Sequence, residues 1–135
     1  MTRFHRRLVE MEVEKSKKVT LSRVYYEVLL LRQIDRCVKA KTYGDEDTFI
    51  EGVEALYLML VPELKNRVRK EFSIKYDGRD FDEVYSYIDH YYIHSEKRGF
   101  VLGIAEDLFE TIIGVLDEAG MLRKMFIIPR GELEI

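Results

Sequence analysis

The sequence predicts a mainly α-helical bundle of five or six helices, closed by a short C-terminal β-hairpin or extended tail. Three observations predict it. Apolar residues recur at helical spacing over most of the chain, Gly, Pro and acidic residues fall where helices should stop and start, and only the last dozen residues alternate as strands do. A chain of 135 residues is the usual size of one domain and can bury roughly two thirds of its unfolded surface, so a single domain over 1–135 is expected.

The elements follow in order. From Arg3 to Lys18, Phe4, Leu8 and Met11 lie at helical spacing behind Arg3, Arg6 and Arg7, which suggests a basic, thinly apolar first helix over 1–18. Thr20 reads as the N-cap of a second helix to about Thr42, with Leu21, Val24, Val28, Leu31 and Val38 in a heptad-like stripe that Tyr25, Leu29, Leu30, Ile34 and Cys37 widen. Tyr43-Gly44 ends that helix, and Asp45-Glu46-Asp47 opens a third containing Phe49, Ile50, Val53, Leu56, Tyr57 and Leu60. Pro62 starts a fourth, to Phe72, with Leu64, Val68 and Phe72 inward.

Ile74 and Tyr76 alternate with polar residues before the Asp77-Gly78 turn, as in a short extended piece. Asp80 caps a fifth helix to about Ile93, with Phe81, Val84, Tyr85, Ile88 and Tyr92 inside. A sixth runs from Arg98 to Arg123 on Val101, Ala105, Leu108, Ile112, Val115 and Ala119. Beyond Gly120, Met125-Phe126-Ile127-Ile128, Pro129-Arg130-Gly131 and Glu132-Leu133-Glu134-Ile135 read as strand, turn and strand. A two-stranded hairpin is marginal alone in water, so residues 124–135 are expected to dock on the helices or on another subunit.

Composition narrows the function classes. Cys37 is the only cysteine, which rules out an intrachain disulfide, a Cys-based zinc knuckle and a CxxC pair. The N-terminus lacks a signal peptide's apolar run and no stretch reaches ~20 apolar residues, so a cytoplasmic protein without a membrane anchor is expected. One Asn and one Gln stand against 47 charged residues, a thermophile-like balance. Residues 1–41 carry 11 Lys/Arg against 5 Asp/Glu, whereas residues 42–135 carry 11 against 20. Such bipolarity is satisfied within one molecule, by an anionic partner, or by head-to-tail contact between copies.

Chemistry-bearing patterns are weak. His90 and His94 stand four apart on the fifth expected helix, with Glu83 two turns earlier, a spacing that can chelate a metal, but Tyr91 occupies the position where a zincin needs Glu. A solvated or cap-bonded pair is the simpler reading. No GxSxG elbow accompanies the serines, Cys37 sits among Ile34 and Val38 as a packing thiol, and Glu106 with Glu110 is what a solvated helix face looks like. No catalytic residue and no cofactor are assigned.

Interface signals are stronger. Five tyrosines fall between Tyr76 and Tyr92, too many for one core stripe, and Tyr87 and Tyr91 lie off the main apolar face. Gly99 and Gly103, one turn apart, allow close approach of another backbone. With Met125, Phe126, Ile127, Ile128, Leu133 and Ile135 of the tail, they are the candidate contacts of a non-catalytic interaction or assembly module, probing first for a homo-oligomer or protein partner. A nucleic-acid-associated protein is the second reading, through Arg3, Arg6, Arg7, Lys15, Lys17, Lys18 and Arg23. The helix, Leu122-Arg123-Lys124 and hairpin superficially resemble a winged-helix module, but Asp117 and Glu118 stand where phosphate contacts would be wanted. The third reading is a metal-dependent hydrolase at His90, His94 and Glu83.

Overall fold

One helix takes the place of the two expected at the N-terminus. The structure, a computed structural model, describes the backbone of residues 10–90 and 95–122 and the side chains of residues 23–90 and 96–122. In it α1 runs unbroken over Glu10–Thr42. Thr20 is therefore a mid-helix residue and not an N-cap. A capping side chain starts a helix only where the chain before it is not helical, and no Gly or Pro interrupts Lys17-Lys18-Val19-Thr20-Leu21.

The polypeptide divides between Leu30 and Leu31 into two units. The first contains the N-terminal part of α1, on which Arg23, Val24 and Tyr25 are exposed. The second is a helical bundle. Its α1 residues bury Gln33, Ile34, Cys37 and Ala40, whereas Val38, expected in the heptad-like stripe, is 45% exposed. Leu31 of the expected stripe is buried as well, together with Ile34 and Cys37 from its margin.

Local chemistry accounts for the boundaries. Gly44 takes φ 72° past the end of α1, and the Gly44 and Asp45 N–H groups donate to the Lys41 and Ala40 carbonyls (3.2 and 2.9 Å), a Schellman closure. Asp45 then caps α2, Glu46–Met59: its Oδ1 accepts from the Thr48 N–H (3.2 Å) and its Oδ2 from the Thr48 hydroxyl (2.7 Å). Burial of Phe49, Ile50, Val53, Leu56 and Tyr57 along α2 follows the expected periodicity.

Pro62 stands at the start of α3, Pro62–Lys75, with Leu64, Val68 and Phe72 buried. The short extended piece expected after Phe72 is instead the last turn of α3, and Ile74 is 68% exposed. Three residues of alternation are too few to outweigh continued helical hydrogen bonding, and the chain turns only at Asp77 and Gly78, both in the left-handed region.

Next comes α4, Phe81–Asp89, four residues shorter than the expected end at Ile93. Asp80 occupies the N-cap position without a side-chain cap bond, and Asp82 and Glu83 complement the helix dipole in its place. A single 3-10 turn, Ser95–Lys97, leads into α5, Arg98–Glu118. That helix also stops short of the expected Arg123, because Gly120 adopts φ 77° and the Met121 N–H reaches back to the Leu116 carbonyl (3.0 Å).

Packing centres on α5, which lies against α2, α3 and α4 and buries Val101, Ile104, Ala105, Leu108, Thr111, Ile112, Val115 and Leu116. Gly52 lets α2 approach α1: a Cβ there would stand 3.1 Å from the buried Cys37 Sγ, and the Gly52 carbonyl accepts from Gln33 Nε2 (3.1 Å). Five α-helices and no strand occur among the described residues. The expected hairpin over 124–135 lies outside them.

Candidate functional site

Two features of the second unit lie at or beyond the margin of its core. The first is a polar seam built on aromatic rings between α2, α3 and α4. Tyr57, Phe81 and Tyr85 form a triangle with ring centroids 5.1 to 5.4 Å apart, and Phe72 meets Phe81 edge-on at 5.6 Å. Each outward-facing phenol finds a charged partner. Arg69 lies over the Phe81 ring at 4.7 Å, donates to both Asp82 oxygens (3.0 and 3.1 Å) and reaches the Tyr57 hydroxyl at 3.4 Å. Those bonds hold the Asp82 carboxyl below its usual range.

At the other end of the seam the Tyr85 hydroxyl lies 3.5 Å from Glu54 Oε2. Burial first, and then the influence of Asp89, pushes the Glu54 carboxyl up to about 7. Burial also raises the Tyr85 phenol, as does the charge of Glu54. Tyr76 donates to Asp107 Oδ2 at 2.6 Å. Its phenol is raised by burial first and by that bond second. Cys37 is a buried packing thiol, pushed up to about 12 by burial.

The second feature is the outward face of α5. Gly99, Gly103 and Gly114 fall within roughly 60° of one another at 3.6 residues per turn. A Cβ added at any of them would meet nothing within 4 Å. At the N-terminal end of this face Phe100 is 51% exposed and packs edge-on against Tyr87, ring centroids 5.2 Å apart, with Lys97 Nζ 5.9 Å from the centre of the Tyr87 ring. Tyr87 is accordingly half-buried, and Phe100 is the more exposed aromatic of the pair.

Of the metal candidates, His90 is the C-cap of α4, past its last helical residue. His90 Nε2 lies 3.5 Å from Asp89 Oδ2. Glu83 accepts from Arg79 at 3.0 Å, and no group of three His, Cys, Asp or Glu suited to a metal occurs among the described residues. His94, Tyr91, Met125, Phe126, Ile127, Ile128, Leu133 and Ile135 lie outside the described residues. So do Arg3, Arg6 and Arg7. Lys15, Lys17 and Lys18 belong to α1, where only the backbone is described, and Arg23 is exposed.

The sequence reading named Gly99, Gly103 and Tyr87 as candidates and did not single out Phe100, Gly114 or Glu54. Phe100 and Gly114 were legible in principle from helical spacing; the approach of Glu54 to Tyr85, 31 residues apart, carries no local signal. Several charges are satisfied between helices: Lys41 pairs with Glu106, Arg98 with Glu46 and Asp47, and Arg67 with Glu118 (2.8 Å). No helix of the described residues is long and apolar enough to cross a membrane. In comparisons with protein-family models, curated proteins and solved structures, nothing matches this chain.

Proposed function

We infer that the chain is a non-catalytic assembly module that associates with further copies of itself through the outward face of α5. The observation that supports this reading is the open glycine floor at Gly99, Gly103 and Gly114, edged by Phe100 and Tyr87. Glycine in a helix interior costs about 1 kcal/mol relative to Ala, so Gly103 and Gly114 together forfeit about 2 kcal/mol of helix stability. No neighbouring side chain within 4 Å accounts for that cost. A floor without Cβ atoms admits a second backbone at close range, and a half-exposed Phe braced by a Tyr is the kind of aromatic anchor on which interfaces concentrate their energy.

The test is light scattering of the full chain, of Gly103→Leu, and of the chain ended at Lys124. Leu is a good helix former and its Cβ meets no atom of the subunit, so Gly103→Leu should keep the helical circular dichroism signal while filling the floor. The full chain is expected to self-associate and Gly103→Leu to be a monomer. If the C-terminal segment contributes to the contact, as its apolar residues suggest, the shortened chain also loses mass. A full chain that is monomeric at every concentration, or a Gly103→Leu variant that associates like the parent, overturns the reading.

A further inference from the structure

Residues 55–61, Ala-Leu-Tyr-Leu-Met-Leu-Val, are apolar without a break. A helix turns such a run to every side, so it cannot all face one core. Leu56, Tyr57 and Leu60 are buried, whereas Leu58 near the end of α2 is 57% exposed and Val61, the N-cap of α3, is 41% exposed. An exposed apolar pair is ordinary on a protein surface, and its place in the fold is what singles this one out. α3 and α5 are antiparallel: the Tyr76 hydroxyl donates to Asp107 Oδ2 (2.6 Å), Lys75 Nζ lies 3.8 Å from Glu110 Oε2, and Arg67 Nη2 lies 2.8 Å from Glu118 Oε2. Continued by one turn, that register brings Leu122 to the first turn of α3, beside the junction that carries Leu58 and Val61. Leu122 is buried, so the chain leaves the described core at this end of the bundle. Residues 123–135 follow, opening with Arg-Lys-Met-Phe-Ile-Ile. We propose that segment 125–128 of this chain docks on its own subunit, over Leu58 and Val61 at the α2–α3 junction.

Reach and charge select this seat. An extended chain spans at most about 3.6 Å per residue, so Met125 lies within about 11 Å of Leu122 and Phe126 within about 14 Å. The other exposed apolar residues of the second unit are further away along the helices. Ile74 lies about 18 Å along α3 from Pro62, and Phe100 about 27 Å along α5 from Glu118. Val38 and Tyr43 lie within a turn of Lys41, which pairs with Glu106, about 18 Å back along α5 from Glu118. The two cations that precede the run, Arg123 and Lys124, complement Glu63, an exposed acid in the first turn of α3. Docking removes apolar surface from water on both sides. A tether this short gives an effective concentration of about millimolar, which favours the subunit's own segment over that of a second copy. The seat shares no residue with the glycine floor of α5, so it goes beyond association through that face and does not rest on it.

The test is the rate at which a maleimide labels Leu58→Cys in the full chain and in the chain ended at Lys124. Native Cys37 is fully buried and is expected to stay unlabelled in both, which reports an intact core. Leu58→Cys should label about tenfold more slowly in the full chain, and adding Phe126→Asp should restore the rate of the shortened one. Ile74→Cys, at the other end of α3, should label equally in both lengths. The slowing at Leu58→Cys should persist through about a hundredfold dilution, because the segment and its seat share one chain. Equal rates for Leu58→Cys in the two lengths overturn the proposal. So does slowing that Phe126→Asp leaves unchanged, slowing that Ile74→Cys shares, or slowing lost on dilution, which assigns the segment to a second copy. Association through α5 is read separately, from the mass of Gly103→Leu.

Discussion

At the scale of single residues, two close approaches decide how α2 sits. Gly52 is required not for its backbone angles but for space, since a methyl group there meets Cys37 Sγ at 3.1 Å in a site where the sulfur is fully buried. Gly52→Ala is therefore expected to lower stability by about 1–2 kcal/mol in urea unfolding, the overpacking cost outweighing the gain in helix propensity. In a Cys37→Ala background the same substitution should be close to neutral or stabilising, because the clash has gone. Equal effects in both backgrounds would show that the thiol is not what limits the approach. Glu54 provides a second residue-scale expectation: Glu54→Gln should flatten the decline of thermal stability between about pH 5 and about pH 8 that the raised carboxyl imposes, and so be more stable than the parent at the upper value.

At the scale of elements, the ends of helices follow from a few specific bonds. Asp45 satisfies the Thr48 N–H at the start of α2, and its carboxyl is lowered by its bonds to Thr48. Asp45→Ala is expected to cost about 1 kcal/mol, and Asp45→Asn, which retains the acceptor, much less; a matching loss in both would point to charge and not to the cap bond. Length is governed differently. α1 continues through Thr20 because nothing opposes propagation there, and α5 ends at Glu118 because Gly120 supplies the left-handed residue of a Schellman closure. In α5 the open positions carry their own expectation. Gly103→Ala should stabilise a subunit whose face is free by up to about 1 kcal/mol, so chemical unfolding at low protein concentration ought to show a gain that shrinks where the subunits associate.

At the scale of the whole molecule, several of the sequence's charges are met by inter-helix ion pairs of its second unit, which are exposed and individually worth little. Association through the α5 face would rest on aromatic and backbone contact and not on those charges. Raising salt from about 0.1 M to about 1 M, where the Debye length falls from about 10 to about 3 Å, should accordingly leave the associated mass unchanged or increased. Dissociation by salt would favour instead the head-to-tail contact of basic and acidic regions. Leu122 is buried, so a chain ended at Lys124 keeps the described core intact and makes the tail's contribution readable by mass alone.

The sequence by itself determined that the chain is mainly helical, which residues of α2 and α3 face inward, and where Gly44 and Pro62 interrupt. These are local properties, set by side-chain periodicity within a helix and by the backbone freedom of single residues. Only the tertiary structure decided that Val38 of α1 is exposed while Ile34 and Cys37 are buried, that Tyr87 leans on Phe100, and that Glu54 lies beside Tyr85. The physical reason is range: contacts between residues tens of positions apart depend on how helices are docked, and docking is set by the fit of whole faces, which no window along the chain contains.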